Sequence, residues 1–259
     1  LNSCMDGFFS ARKPEPRPET LKTLSKFVKV VKADFGVGYD GDADRAIFTD
    51  EEGVVHWGDR TFALATREEL RRRGGGLVVT QVATTALIDR VAREYGGTVV
   101  RTKVGEPYIS EVIYEKGAVL GGEENGGIIW PEISYGRDGV ATVAKIAEYV
   151  AKSGKTLGEL LSELPAFYMC KEGVKCPNEL KQKVMEAVKQ RILQAGYRVD
   201  LTDGVKLLFE DSWLLIRPSG TEPLIRCFSE AEKMEKAREL AGMGVKIVKE
   251  VLEEVVRRG

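Results

Sequence analysis

The sequence lacks several features that identify common classes of protein. Its 39 basic and 40 acidic residues nearly cancel, so no global positive field is available to gather nucleic acid. No apolar run approaches the roughly 20 residues of a membrane-spanning helix, and no signal peptide begins the chain. The four cysteines, Cys4, Cys170, Cys176 and Cys227, show no CxxC spacing, which favours free thiols over disulfides or zinc ligation. We therefore expect a soluble, cytoplasmic protein without nucleic-acid or membrane partners.

The sequence does contain enough apolar residues to build hydrophobic cores. Hydrophobic residues make up 43% of the 259 residues, which is sufficient for about two domains. Residues 11–18 (ARKPEPRP) carry three prolines and can form neither a helix interior nor a central strand. The chain begins LNSCMDGFF, without an initiator methionine or a recognisable domain start, so we expect it to be part of a longer protein.

Strand and helix patterns divide the chain into three parts. Residues 1–53 contain a helix with an apolar stripe from Leu21 to Val31, then a buried strand and the first strand of a hairpin. Between 54 and 165 strands alternate with helices, which predicts a parallel sheet with helices on both faces. From 166 to 259, strands beside two helices predict a small α+β domain. The expected fold is thus a three-layer α/β domain, preceded by part of another α/β domain and followed by an α+β domain.

The loop DGDADR (40–45) follows the first strand and concentrates acidic side chains. In an extended loop every second residue faces the same way, so Asp40, Asp42 and Asp44 are expected to converge. Three carboxylates held together repel one another unless a cation lies among them, and oxygen ligands favour Mg²⁺ or Ca²⁺ over zinc. An EF-hand loop also begins D-x-D-x-D, but Arg45 takes the place of the required glycine and a strand leads in. A solvated acidic turn remains an alternative for this motif alone.

The loop GGEENGG (121–127) follows an apolar strand. Its glycines allow a ligand to approach the backbone, while Glu123 and Asn125 offer an acceptor and an amide to sugar hydroxyls. A glycine-rich loop of this kind is also common as a simple turn.

The loop RPSGTEP (217–223) is rich in groups that bind phosphate. Arg217 can hold a phosphate with two hydrogen bonds. Ser219 and Thr221 can donate hydroxyl groups, and backbone N–H groups around Gly220 can complete an anion-binding nest. A surface turn that contains a single arginine is the simpler alternative.

The order of these three loops resembles the α-D-phosphohexomutase family, which includes phosphoglucomutase, phosphomannomutase and phosphoglucosamine mutase. TKVG (102–105), after a strand, matches a fourth element of that family near its substrate. The resemblance extends over essentially the whole chain. It implies the end of a second domain (1–53), a sugar-binding third domain (54–165) and a phosphate-binding fourth domain (166–259).

The resemblance also implies an Mg²⁺ cofactor and roles for individual residues. The three carboxylates of the DGDADR loop would hold the ion, and Arg45 would lie beside the transferring phosphoryl group. Lys103 would neutralise charge or move a proton near the reacting hydroxyl. Glu123 and Asn125 would contact sugar hydroxyls. The phosphate that does not react would be held by Arg217, Ser219, Gly220 and Thr221.

In that family a phosphoserine in the first domain gives its phosphoryl group to the sugar. A hexose 1,6-bisphosphate therefore lies between hexose 1-phosphate and hexose 6-phosphate. The Ser-His-Asn run around that serine is absent here, and the only histidine, His56, beside Trp57, is interpreted as structural. We expect a missing N-terminal part or a separate chain to carry the phosphoserine, and this chain to be inactive alone. Association into homo-oligomers is left open.

The preferred sugar is also left open. Glu106, after TKVG, and Gly127, at the end of GGEENGG, stand where many bacterial relatives carry histidine, and Asn125 stands where many have serine. The GEENGG form is similar to archaeal members, some of which act on glucosamine phosphate. A glucose or mannose phosphate mutase is the first interpretation, and phosphoglucosamine mutase is the alternative.

Two interpretations of other classes remain. Asp40 and Asp42 resemble the D-x-D of aspartate-nucleophile phosphatases, in which the first carboxylate attacks phosphorus, but this leaves the other two loops unexplained. A fragment that binds sugar phosphates without converting them is the further alternative, because the nucleophile of the family is absent.

Overall fold

The computed structural model describes residues 1–2 and 5–258, so Cys4 lies outside the described residues. The chain folds as two compact units, Leu1–Pro165 and Ala166–Gly259, which we call the N-terminal unit and the C-terminal unit. The predicted division into three domains, with a boundary between 53 and 54, stays a prediction.

Six helices and seven strands form the described part of the N-terminal unit. The helices are α1 (Lys22–Val31), α2 (Gly58–Arg73), α3 (Leu87–Glu94), α4 (Glu106–Lys116), α5 (Gly139–Ser153) and α6 (Leu157–Ser162). The strands are β1 (Phe35–Tyr39), β2 (Ala46–Asp50), β3 (Val55–His56), β4 (Gly76–Gln81), β5 (Gly97–Thr102), β6 (Leu120–Gly122) and β7 (Ile128–Ile129).

β1, β2 and β3 form an antiparallel sheet in chain order, and α1 packs against β1 and β2. Two glycines of β1 make this packing close. A Cβ at Gly36 would lie 2.6 Å from Val28, and a Cβ at Gly38 would lie 2.4 Å from Leu21. The apolar stripe predicted for α1 is only partly buried, because Phe27 is 47% exposed while Leu21 and Val28 are buried.

The second sheet has the strand order β5-β4-β6-β7. β4 pairs in parallel with β5 and β6, as the alternation of strands and helices predicts. β7 pairs with β6 in antiparallel orientation, so the expectation of a purely parallel sheet is wrong at this edge. The reason is the connection between β6 and β7: the loop 123–127 is far too short for the crossover of a dozen or more residues that parallel strands need.

Helices cover both faces of this sheet. A Cβ at Gly121 would lie 2.4 Å from Ile113 of α4, and a Cβ at Gly122 would lie 2.8 Å from Phe62 of α2. Because successive residues of a strand face opposite sides, α4 and α2 lie on opposite faces. The predicted three-layer α/β arrangement is therefore confirmed. It places the loops after β4, β5 and β6 at the carboxyl edge of the sheet, where such folds bind ligands.

The C-terminal unit is an antiparallel sheet with two long helices. Its elements are β8 (Tyr168–Lys175), α7 (Asn178–Gln194), β9 (Val199–Asp200), β10 (Val205–Leu208), β11 (Ser212–Pro218), β12 (Leu224–Ala231) and α8 (Met234–Arg258). The strand order is β8-β12-β11-β10-β9. Leu214 and Ile216 of β11 share one core with Val188 of α7 and Val248 of α8, so both helices pack on the same face. The α+β prediction is confirmed.

Two further expectations concern membranes and cysteines. Within residues 1–2 and 5–258, no helix is long and apolar enough to span a bilayer. Cys170, Cys176 and Cys227 are free thiols, as predicted. Burial raises the pKa of the Cys227 thiol to about 12, so this thiol stays protonated and unreactive at neutral pH.

Candidate functional site

The loop between β1 and β2 is a tight turn that brings three aspartates together. The Asp40 N–H donates to the Arg45 carbonyl at 3.4 Å, and Ala43 has a left-handed φ of 60°. Carboxylate oxygens of Asp40, Asp42 and Asp44 all lie within 4.8 Å of one another. The three carboxylates therefore converge as expected. The loop is not the extended one that was predicted, however: the chain reverses direction at Ala43.

This carboxylate cluster is electrostatically unbalanced. At an effective dielectric constant of about 20, two like charges ~4 Å apart repel by about 4 kcal/mol. Burial acts to raise the pKa of Asp40, but hydrogen bonds from Arg45 outweigh it and hold that pKa below its usual value. For Asp44, burial and the charges of Asp40 and Asp42 raise the pKa.

The donor set of the cluster fits a hard divalent cation. Asp44 Oδ1 is buried and accepts no hydrogen bond from the described part of the chain. Asp42, in contrast, is exposed and accessible to an incoming ion. Carboxylate oxygens without nitrogen or sulfur donors suit Mg²⁺ or Ca²⁺, and a cation among them would offset the repulsion.

Two carboxylates fix the guanidinium of Arg45. Its Nε donates to Asp40 Oδ2 at 2.5 Å, and its Nη1 donates to both carboxylate oxygens of Glu15 at 2.9 and 3.0 Å. Glu15 was not predicted, because its proline-rich segment signals only an interruption of regular structure. The two residues are 30 positions apart, and no local pattern signals their contact.

The GGEENGG loop closes as a compact turn around Glu123. Glu123 is 4% exposed, and its N–H donates to the Gly127 carbonyl at 2.9 Å. Asn125 Oδ1 accepts from the Gly127 N–H at 3.1 Å, so one polar atom of Asn125 is used inside the turn. Burial raises the pKa of Glu123, and the charge of Arg137 and a hydrogen bond from Asn125 only partly offset this. Glu123 is therefore a buried carboxyl group held in one orientation.

The TKVG loop leaves Lys103 exposed, with Nζ 6.0 Å from the centre of the Tyr108 ring. Gln81, at the end of β4, ties this loop to its neighbour. Its Oε1 accepts from the Gly105 N–H at 3.3 Å, and its Nε2 donates to the Glu124 carboxylate. Gln81 is buried and was not predicted, because a glutamine at the end of a strand belongs to no recognisable motif.

Arg137 connects the loop between β1 and β2 (residues 40–45, here called the aspartate loop) to the GGEENGG loop. Its Nη2 donates to Asp44 Oδ2 and its Nη1 donates to Glu123 Oε2, while Nε lies 3.2 Å from Glu106 Oε2. This arginine was not predicted, because it is 93 positions from Asp44 in the sequence. The available signal was a basic residue directly before Asp138, the N-cap of α5.

In the C-terminal unit, the RPSGTEP loop joins β11 to β12. Arg217 lies at the end of β11, and its Nε donates to Asp203 Oδ2 at 3.1 Å. Gly220 and Thr221 are exposed at the tip of the loop. Their polar groups are therefore accessible to an anion.

The base of the same loop is fixed by Lys181 of α7. Lys181 Nζ donates to the Ser219 carbonyl at 2.7 Å, and the Ser219 N–H donates to the Leu224 carbonyl at 3.0 Å. Ser219 itself is buried, and its Oγ accepts from the Glu222 N–H at 3.2 Å. The loop thus has a held base and an exposed tip. Lys181 was not predicted, since it lies on a helix far from the motif in sequence.

The N-terminal unit therefore brings together the three aspartates, Arg45, Glu123 and Asn125. The backbone adds to this arrangement, because the Ala46 N–H donates to the Gly126 carbonyl at 3.1 Å. Arg217, Ser219, Gly220 and Thr221 belong to the C-terminal unit and form a separate loop there.

Comparison with known proteins connects all of these loops to one group of enzymes. The family model of phosphoglucomutase/phosphomannomutase α/β/α domain II matches residues 1–53, and that of α/β/α domain III matches residues 57–168. The model of the phosphoglucomutase/phosphomannomutase C-terminal domain matches residues 174–247.

Similar curated proteins include a phosphoglucomutase/phosphomannomutase from Thermococcus kodakarensis, 48% identical over 252 residues, with 97% of this chain and 55% of that protein covered. A protein named "Probable phosphoglucosamine mutase" from Methanopyrus kandleri is 45% identical over 255 residues, with 98% and 56% covered. A solved structure of a phosphoglucomutase/phosphomannomutase family protein from Burkholderia thailandensis has a TM-score of 0.84 at 27% identity, covering 96% of this chain and 54% of that one. The chain spans about half the length of these relatives.

Proposed function

We propose that this chain, which belongs to the α-D-phosphohexomutase family, is the metal-, sugar- and phosphate-binding portion of a phosphohexomutase. The enzyme would interconvert hexose 1-phosphate and hexose 6-phosphate through a hexose 1,6-bisphosphate. The observation that carries the proposal is the direct connection, through Arg137, of a three-carboxylate cluster to the buried carboxyl group of Glu123.

In this proposal Asp40, Asp42 and Asp44 hold Mg²⁺. When bound, the ion supplies positive charge that offsets the negative charge developing as a phosphoryl group moves. Arg45 supplies a second positive charge at the same place. Because Asp40 and Glu15 already hold its Nε and Nη1, the guanidinium is oriented before the phosphoryl group arrives, and little reorganisation is needed.

Glu123 and Asn125 bind the sugar. Glu123 is buried and held by its neighbours, so it can accept hydrogen bonds from sugar hydroxyls with little loss of side-chain freedom. Lys103 is exposed and no described side chain holds it in a hydrogen bond, which suits a group that neutralises charge or moves a proton near the reacting hydroxyl.

The RPSGTEP loop binds the phosphate that does not react. Arg217 offers its guanidinium, while Ser219, Gly220 and Thr221 offer hydroxyl and N–H donors. The loop is held at its base by Lys181 and exposed at its tip, an arrangement that suits reversible anion binding. A bisphosphorylated sugar needs both this loop and the sugar loop, because its two ends must be held in turn.

The phosphoserine that starts and ends the cycle comes from a part of the enzyme absent from this chain. We therefore propose that the chain alone does not complete the reaction. We also propose the division into an incomplete second domain (1–53), a third domain (54–165) and a fourth domain (166–259), which is compatible with the matched residue ranges.

The sugar is either a glucose or mannose phosphate, which we place first, or a glucosamine phosphate. The second candidate is favoured by the GEENGG form of the sugar loop. It is also favoured by the name of the Methanopyrus kandleri protein, which is 45% identical to this chain.

Reconstitution tests the proposal. The genome would first be searched immediately upstream for a reading frame that encodes a Ser-His-Asn loop. The chain would then be co-expressed with the product of that frame, and the pair would be assayed with glucose, mannose and glucosamine 1-phosphates. We expect Mg²⁺-dependent formation of one of the 6-phosphates, and no product from the same pair carrying Asp42→Asn. A pair that binds sugar phosphates but forms no product would instead support a non-catalytic binding protein.

A further inference from the structure

Arg137 contacts three carboxylates that come from three different segments of the N-terminal unit. Asp44 lies in the β1–β2 turn, Glu106 begins α4, and Glu123 follows β6. The guanidinium contacts all three, and the Arg137 backbone N–H adds a hydrogen bond to Glu106 Oε1 at 3.0 Å. The side chain of Arg137 is 18% exposed, and that of Glu123 only 5%. Partly buried charges of this kind interact more strongly than exposed surface pairs.

The path of the Arg137 side chain depends on the absence of a side chain at Gly127. A Cβ at position 127 would lie 2.2 Å from Arg137 Cδ and 3.2 Å from its Cγ and Nε. The backbone of Gly127 is not left-handed, so the conformation at this position does not require glycine. Glycine is required at position 127 because the aliphatic part of the Arg137 side chain passes directly over this residue.

The contact determines which oxygen of Asp44 is available. Arg137 holds Oδ2, while Oδ1 is buried, lacks a hydrogen bond to the described residues and lies 3.5 Å from Arg45 Nε. A carboxylate held by one oxygen in this way presents the other in a fixed direction, as the hydrogen-bonded ligands of metal sites do.

We propose that Arg137 is a positioning residue: it holds the carboxylates of Asp44, in the aspartate loop, and Glu123, in the GGEENGG loop, in one fixed geometry. The cation site is therefore formed before the cation binds. The inference rests on the proposed function in one respect: it takes the aspartate cluster as the Mg²⁺ site. It adds that the affinity of this site depends on an arginine that does not touch the ion.

Arg137→Lys is the informative variant because it keeps the positive charge. The variant therefore keeps a cation at position 137 and mainly changes the geometry of its contacts. A lysine ammonium is a compact point charge and cannot contact three carboxylates with the planar fork of a guanidinium. Loss of partners that orient metal ligands weakens metal binding by about 10- to 100-fold. We expect roughly tenfold weaker Mg²⁺ binding.

The matched control is Arg67→Lys. Arg67 is also an arginine of the N-terminal unit with little exposure, and it pairs with two carboxylates, Glu68 at 2.8 Å and Glu163 at 2.9 Å. None of its described contacts involves the aspartate loop or the GGEENGG loop. We expect this variant to bind Mg²⁺ like the wild type.

Two measurements on the 259-residue chain test the inference. Titration calorimetry with MgCl₂ compares the wild type, both lysine variants and Asp42→Asn. Hydrogen exchange without added metal then compares the mobility of residues 40–45 and 123–127. We expect faster exchange of both segments in Arg137→Lys and no change in Arg67→Lys. This second measurement reports on the held geometry without requiring any bound ion.

The outcomes separate this inference from the proposed function. If Asp42→Asn weakens Mg²⁺ binding but Arg137→Lys does not, the metal site stands and the positioning role is overturned. Unchanged exchange in Arg137→Lys also overturns it. If the wild type binds no Mg²⁺, or Asp42→Asn binds it equally well, the metal assignment is overturned, and the inference with it.

Discussion

Gly127→Ala should disable the Arg137 contacts without changing any charged residue. The added Cβ would lie 2.2 Å from Arg137 Cδ, whereas ordinary contact begins at 3.4 Å. The arginine stem or the loop must therefore shift by at least the difference, 3.4 − 2.2 = 1.2 Å. Hydrogen bonds weaken steeply over such a distance, so the contacts to Asp44 and Glu123 should be lost.

The size of the effect follows from the burial of these groups. A hydrogen bond to a charged group contributes about 1.5–3 kcal/mol, and breaking a buried ion pair costs about 3–5 kcal/mol. Because the Arg137 side chain keeps 18% exposure, solvent offsets part of this loss. We expect the free energy of unfolding of the N-terminal unit to fall by about 2–3 kcal/mol, and Mg²⁺ binding to weaken as in Arg137→Lys.

The assay follows hydrogen exchange of peptides from the N-terminal unit as urea is increased, because a chain of two units need not unfold in one step. Gly136→Ala is the control in the same segment: its Cβ would lie 3.4 Å from Glu106 Oε1, and its backbone is not left-handed. It should change stability by no more than about 0.5–1 kcal/mol. If Gly127→Ala were as stable as Gly136→Ala and bound Mg²⁺ like the wild type, the close approach of Arg137 to position 127 would be refuted.

Three further predictions concern the metal, acid stability and the phosphate loop. Asp42→Asn should weaken Mg²⁺ binding at least ~30-fold, since a divalent ion and one carboxylate ~4 Å apart in water attract by about 2 kcal/mol. Calorimetry with MgCl₂ measures this effect, and Asp34→Asn, at an exposed position, is the control. Equal Mg²⁺ affinities of the two variants would remove the metal assignment. Hydrogen bonds from neighbouring cations lower the pKa of Glu132 from 4.5 to about 2, and they also lower that of Glu69 despite its burial. The stability that Glu132 contributes is complete above pH about 4.5 and is lost as pH falls towards about 2, and the contribution of Glu69 likewise declines as pH falls below about 4.5; Glu69→Gln should flatten this acid decline in thermal unfolding, and a wild-type midpoint independent of pH below about 4.5 would contradict it. Lys181→Met should speed hydrogen exchange in the RPSGTEP loop and weaken binding of inorganic phosphate, whereas unchanged exchange would show that the lysine does not hold the loop.

Much of the fold could be predicted from the sequence because its long elements are strongly patterned. The alternation of apolar strands with helices between 54 and 165 predicted the parallel pairing of β4 with β5 and β6 and the helices on both faces of that sheet. The strands β7 and β9 were not predicted. Each has two residues, too few to show a period, and pairing with a neighbouring strand alone defines them. For the same reason the antiparallel edge of the second sheet was missed.

The candidate site could be predicted only where its residues are close together in the sequence. Three aspartates within five residues are visible as a motif, and the turn at Ala43 brings them together. Partners from distant segments leave no such signal. Glu15 reaches Arg45 over 30 positions, and Arg137 reaches Asp44 over 93, so both became visible only in the folded chain.

The glycines of the GGEENGG loop require a different explanation from the one that the sequence suggested. Their expected role was to let a ligand approach the backbone, yet protein atoms fill the space beside them. Gly121 and Gly122 accommodate the helices on the two faces of the sheet. Gly126 has a left-handed φ of 93°, and Gly127 accommodates Arg137. The abundance of glycine in this loop is therefore a consequence of packing and does not by itself indicate a ligand. The case for a sugar site here depends instead on the buried carboxyl group at the centre of the loop and on the arginine that connects it to the aspartates.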